Sequence, residues 1–143
     1  MKKIILIFLV LNLAGCAANV RYIAYTEEKF PPKPKYTLIN VYPVSQHLPA
    51  SQPYQVIGKV EIQGYASDGT TPDMLVEQAK STARKKGADA IINASTQVMP
   101  YTGTYVIPGH FGYYHYHHAR YIPYQNTLLE FTGDLIVFTT TSR

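Results

Sequence analysis

The chain has 143 residues, thirteen Lys and Arg against nine Asp and Glu, a formal charge of +4 and a single cysteine. That length holds one domain with a core of its own, and the small positive surplus leaves no polyanion footprint, so nucleic acid is excluded as an expected partner. One cysteine allows no disulfide within the chain, so stability has to come from packing.

The first element is MKKIILIFLVLNLAGC, in which Lys2 and Lys3 precede an apolar run from Ile4 to Val10 and on to Leu13. The run is short for a hydrocarbon core roughly 30 Å thick. It has the charged n-region and short h-region of an export signal. Its end, Leu13-Ala14-Gly15-Cys16, resembles the lipobox of bacterial lipoproteins. That resemblance implies a signal peptide over 1–15, cleavage before Cys16, and lipid (a palmitate-type acylation) on its sulfur and amine. The mature charge then falls to +2, because Lys2 and Lys3 leave. Each buried acyl methylene contributes about 0.8 kcal/mol, so several chains hold a protein stably on a membrane. In lipoprotein sorting, aspartate after the cysteine favours inner-membrane retention. Ala17 and Ala18 stand there instead, which points to the outer membrane, facing the periplasm.

Residues 16–35 read as the lipidated cysteine and a tether, since Pro31, Pro32 and Pro34 deny the segment helix and central strand. The single domain is expected over 36–143. YTLINVYP, 36–43, alternates as a first strand. YQVIGKVEIQGY alternates more clearly, with Tyr54, Val56, Gly58, Val60 and Ile62 on one face and only Ile57 out of step. A helix follows, capped by Thr71, with Pro72 in its first turn and Asp73 at its positive end. Leu75, Ala79 and Ala83 share its inner side. Arg84, Lys85 and Lys86 complement its negative end, and Gly87 is placed for a left-handed cap. Residues 88–98 read as a covered strand and 127–139 as a last one. A β-α-β crossover makes the two strands flanking the helix parallel, and the last strand returns antiparallel. The expected fold class is α+β: a small mixed sheet with one main helix, a β-α-β-β core, and a long Tyr/His-rich insertion, 99–126, before the last strand.

The run Tyr54-Gln-Val-Ile-Gly58-Lys-Val60, with a helix ending Lys86-Gly87-Ala88-Asp89-Ala90-Ile91-Ile92-Asn93, resembles the YbjQ-like family, labelled heavy-metal-binding. It is similar also to small RcsF-like stress-sensing lipoproteins. The resemblance covers about residues 54–98, on motifs that are structural. It implies the α+β fold, with Gly58 letting a neighbour approach the sheet, Gly87 ending the helix and Asp89 bonding turn amides. RcsF-type proteins carry disulfide-forming cysteines in the domain, and this chain has none there.

The insertion holds seven tyrosines, four histidines, three prolines and three glycines, with Arg120 its only permanent charge. If YYHYHHA is extended, His115 and His117 project from one face about 7 Å apart. His118 then points away and His110 can fold in across Gly112, a set suited to zinc, copper or nickel. No Asp or Glu occurs between Asp89 and Glu130 to orient such ligands. Tyrosine is enriched at recognition surfaces, which makes Tyr101, Tyr105, Tyr113, Tyr114, Tyr116, Tyr121 and Tyr124 a candidate interaction surface, unless they serve to cover the sheet or pair as a hairpin. No nucleophile elbow, metalloprotease helix or phosphate loop occurs, so no enzyme is expected. The reading is a lipid-anchored envelope protein with a binding, structural or stress-sensing role. Its membrane contact is the lipid anchor, and its expected partner is an envelope protein or its own copy. It needs no cofactor beyond the covalent lipid on Cys16. The rival is a metal-binding envelope protein using His110, His115, His117 and His118.

Overall fold

The computed structural model describes residues 18–46, 48, 52–111 and 116–139, with 110–111 and 116–117 given as backbone. Among these, the strands are β1 (Asn19–Ala24), β2 (Asn40–Pro43), β3 (Tyr54–Tyr65), β4 (Ala90–Ile107), β5 (His110–Phe111), β6 (Tyr116–His117) and β7 (Arg120–Phe138). A 3-10 turn, Ala66–Asp68, and the helix α1, Pro72–Lys86, lie between β3 and β4. Five strands make one sheet in the order β1-β3-β7-β4-β2, and β5 pairs with β6. The β2–β4 pair is parallel and the others antiparallel. The fold is therefore the expected α+β domain, a mixed sheet with one main helix. β3 and β4 run in one direction, as a β-α-β unit requires, but β7 lies between them.

The helix forms for the reasons legible in its sequence. Thr71 Oγ1 accepts from the Met74 N–H, Pro72 opens the first turn, and Gly87 closes the helix at φ 78° with its N–H on the Ala83 and Arg84 carbonyls. Leu75, Ala79 and Ala83 are fully buried against Val60, Ile62, Ile91, Leu129, Phe131 and Leu135. Small alanines let the helix approach the sheet closely, and this layer is the main core. No described helix is long and apolar enough to cross a membrane.

Ile57 breaks the alternation of β3 because the register against β7 shifts between Val56 and Gly58. The bulge turns Ile57 into the helix-side core. Val56 packs instead on a second, smaller cluster of Ala90, Ile92 and Ile136. A matching irregularity in β4 between Ile92 and Ser95 includes Asn93, at φ 52°, whose amide donates to Asp134 at 2.8 Å. The two bulges explain how one sheet carries apolar side chains on both faces at one end.

Two expectations need correction. The tether over 16–35 is, from Ala18 onward, part of the fold: β1 pairs with β3 from Asn19 opposite Gln63 to Ala24 opposite Gly58. The proline segment then crosses the end of α1. The Lys33 N–H caps the Arg84 carbonyl at 2.8 Å, and the Arg84 guanidinium donates to the Thr37 carbonyl at 2.9 Å. The prolines do not prevent this, because a strap needs only occasional donors. Second, the strand expected over 36–43 shrinks to Asn40–Pro43; Tyr36 is 92% exposed while Ile39 is buried. The insertion 99–126 takes the hairpin alternative, since β4 runs on to Ile107 and β7 begins at Arg120.

Candidate functional site: a tyrosine-faced hairpin arm

β3 ends at Tyr65, opposite Leu128, and the pairing of β2 with β4 ends at Ala94. Among the described residues, β4 and β7 beyond Met99 and Leu128 pair only with each other, from Pro100 opposite Thr127 to Ile107 opposite Arg120. Eight residues of strand make an arm about 25 Å long. Two-stranded ribbons are marginal alone in water, so its base has to be held by the sheet. There the Asn126 amide also donates to Ser67 Oγ at 2.7 Å.

Directly opposed residues of an antiparallel pair share a face. One face of the arm therefore carries Tyr101, Gly103, Tyr105 and Ile107 with Asn126, Tyr124, Ile122 and Arg120. The rings on it form a continuous ladder: Tyr65 to Tyr101 at 5.5 Å, Tyr101 to Tyr124 at 6.4 Å, Tyr124 to Tyr105 at 4.6 Å. Gly103 makes the ladder possible, because a Cβ there would collide with the Tyr124 ring. Burial among its neighbours, and then the nearby Tyr101, Tyr105 and Tyr65, hold the Tyr124 hydroxyl above the ordinary tyrosine range. The ladder remains open to solvent, with Tyr105 63% and Ile122 46% exposed. The opposite face carries Thr102, Thr104, Gln125 and Thr127, with Val106 and Tyr121 as its exposed apolar groups.

Of the candidate residues, Tyr101, Tyr105 and Tyr124 come together, and Tyr121 lies on the other face. Tyr116 belongs to β6, opposite Phe111. Tyr113 and Tyr114 lie outside the described residues. Among the histidines, His110 and His117 are register partners in the β5–β6 pair. His118 is exposed and follows β6, and His115 lies outside the described residues. No group of three or more His, Cys, Asp or Glu gathers as a metal site among the described residues. Cys16 also lies outside them. Tyr65, at the end of β3, was not singled out in the sequence, nor were Ile107 and Ile122. The alternation Tyr101-x-Gly103-x-Tyr105 was the available signal.

The three motif residues hold structure together. A Cβ on Gly58 would lie 2.5 Å from the Ile23 carbonyl oxygen and from the Tyr22 hydroxyl. The expected neighbour is thus Tyr22, which donates to the Ile57 carbonyl at 3.0 Å and lies beneath Lys86 Nζ, 4.6 Å from the ring centre. A Cβ on Gly87 would meet Phe30 Cβ at 2.6 Å. Asp89 joins two segments far apart in the chain: Oδ1 pairs with Lys33 Nζ at 2.5 Å, and Oδ2 accepts from the Phe138 N–H at 2.8 Å.

No protein-family model matches the chain, and no curated protein matches it. Among solved structures, the chain is similar to a Francisella virulence factor, FvfA, with a TM-score of 0.46 and 14% identity over 82% of this chain and 96% of that one.

Proposed function

We propose that the protein is a lipid-anchored lipoprotein of the bacterial envelope, held on the outer membrane and facing the periplasm, which acts by contact through its arm. The observation that carries this reading is the ladder: Tyr101, Tyr124 and Tyr105 in ring contact on a ribbon that contains no carboxylate, joined at its base by Tyr65 of β3, with Tyr101 and Tyr105 exposed and Tyr65 and Tyr124 half-buried. A buried ladder would be core. An exposed, preordered one offers large amphipathic area at small entropic cost. The anchoring half of the reading rests on Leu13-Ala14-Gly15-Cys16, and a YbjQ-like or RcsF-like domain is supported by the structural tasks of Gly58, Gly87 and Asp89.

Mass spectrometry of the N-terminal peptide from envelope fractions is expected to find lipid on Cys16; an unmodified Cys16 would refute anchoring. Photocrosslinkers at Tyr105 and Tyr124 in cells are expected to give adducts that one at Tyr36 does not. Equal yields at the three positions would refute the contact role.

A second reading is a metal site, and the register of His110 against His117 favours it. Titration with zinc, copper and nickel decides it: binding should vanish when His110, His115, His117 and His118 become alanine, and binding indifferent to those changes ends this reading.

A further inference from the structure

We infer that the arm lies in the interfacial layer of the same bilayer that holds Cys16, with its tyrosine ladder facing the lipid. This rests on the lipoprotein reading above and adds the occupant of the contact surface.

The first support is where the undescribed N-terminal chain meets the fold. Asn19 is opposite Gln63, two residues before β3 ends, so β1 starts at the end of the sheet from which the arm leaves. Ala18 lines a hollow of about 300 Å³ with Gln63, Gly64, Tyr65 and Leu128, and Leu128 adjoins Thr127 at the base of the arm. Cys16 is two residues upstream, within about 7 Å of Ala18 however the chain runs. Two strand spacings, about 10 Å, separate β1 from β7. An acylated Cys16 therefore brings the bilayer to the base of the arm. The strap and the end of α1 lie at the far end.

The second support is the chemistry of the ribbon. Between Asp89 and Glu130 there is no carboxylate to repel lipid phosphates, and the one permanent charge is Arg120. Arg120 sits opposite Ile107 on the ladder face, near the distal end, where a guanidinium suits a phosphate. Tyr101, Tyr105, Tyr124, Ile107 and Ile122 make that face apolar with hydroxyl tips, the amphipathic character that places tyrosine at headgroup level. The reverse face gives Thr102, Thr104, Gln125 and Thr127 to water along most of the arm, with Val106 and Tyr121 as a single apolar pair near its distal end.

The third support decides depth and excludes a rival. A two-stranded ribbon with open edges leaves backbone groups that hydrocarbon cannot satisfy, so the arm lies in the interface, where water and headgroups reach those edges. Pro100 and Pro123 interrupt the donors along it, which disfavours a strand of a second copy adding to either edge.

The chain has no tryptophan, so a single introduced one is a unique reporter. The full mature lipidated protein, carrying Tyr105→Trp, Ile122→Trp, Thr104→Trp or Tyr36→Trp, is reconstituted in vesicles of phosphatidylethanolamine and phosphatidylglycerol with brominated acyl chains. Several-fold stronger quenching is expected at 105 and 122 than at 104, with none at 36. Vesicle flotation of each variant reports the anchor separately. Protein that floats but shows equal quenching at 104 and 105, or none at 105 and 122, overturns the docking while leaving the anchor standing. Protein that does not float overturns both. Adducts to another protein from position 105 in native membranes, without bromolipid quenching, would assign the ladder to a protein partner instead.

Discussion

Replacing Asp89 with alanine tests whether the Gly-Ala-Asp motif is structural. Its carboxylate is the meeting point of the strap, the helix-to-β4 corner and the end of β7, through Lys33 Nζ at 2.5 Å and the Phe138 N–H at 2.8 Å. Its side chain is 25% exposed, so neither bond is fully screened. Its own N–H, bonded to the Ile136 carbonyl, survives any change of side chain. A hydrogen bond to a charged group contributes about 1.5–3 kcal/mol, and a partly exposed ion pair about 1 kcal/mol or less. Asp89→Ala should therefore lower unfolding free energy by about 3 kcal/mol, mostly through the orphaned Phe138 N–H. Asp89→Asn keeps an oxygen for Phe138 and loses the charge facing Lys33, so about 1 kcal/mol is expected. Urea unfolding followed by far-ultraviolet dichroism gives both, and a double-mutant cycle with Lys33→Met isolates the ion pair. A loss under about 0.5 kcal/mol for Asp89→Ala, the size of an ordinary surface change, would refute the structural assignment.

Gly87→Ala combines a left-handed penalty of about 1–2 kcal/mol with a methyl placed 2.6 Å from Phe30 Cβ, and should cost more than Asp89→Asn in the same urea assay. If Gly87→Ala is neutral, the strap does not pack as described. Gly103→Ala should displace the Tyr124 ring and reduce the near-ultraviolet tyrosine signal, while the urea midpoint of the body moves little; an unchanged signal would refute the ladder. The raised Tyr124 hydroxyl means that the folded arm holds this proton more tightly than the unfolded chain does. Its stabilisation is complete below the ordinary value near 10 and is lost as pH rises through and beyond it. Phenolate absorbance titration should show Tyr124→Phe removing a component that ionises late, and loss of an ordinary component instead would refute the shift.

Much of this fold was legible because its local and global signals agree. Thr71, Pro72 and Gly87 mark the helix with residues whose backbone chemistry leaves few alternatives, and the Leu75, Ala79, Ala83 spacing fixes its buried side. Ile57 was visible as an exception but not as a bulge, since the register shift depends on β7, eighty residues away in the chain. β1 carries a readable alternation, Val20, Tyr22 and Ala24 against Arg21 and Ile23. It was obscured by the prolines that follow, which forbid a helix or a central strand but permit a strap. The arm was legible only as one alternative, a hairpin, because Pro100, Pro108, Pro123 and the glycines suit a loop as well. Those prolines are compatible with a ribbon whose outer edges have no partner to supply. The alternation Tyr101-x-Gly103-x-Tyr105 shows only part of the ladder, because its rings alternate between two strands and Tyr65 joins it from a third.

The pairing of β1 changes what an anchor at Cys16 would do. A flexible tether of twenty residues has an r.m.s. span of about 25 Å, comparable to the arm itself, and would let the domain tumble over the membrane with any face presented. With β1 hydrogen-bonded along β3, at most about 10 Å of chain separates Cys16 from Asn19. A lipid on Cys16 would then hold the domain by one end of its sheet, and the end it would select carries the arm. Orientation follows from strand register, and Gly58 protects that register, since any side chain there would displace Tyr22 and the Ile23 carbonyl from β3. Gly58→Val should consequently release the N-terminal strand and weaken arm-specific quenching by bromolipid while flotation persists, because loosening β1 lengthens the tether without removing the lipid.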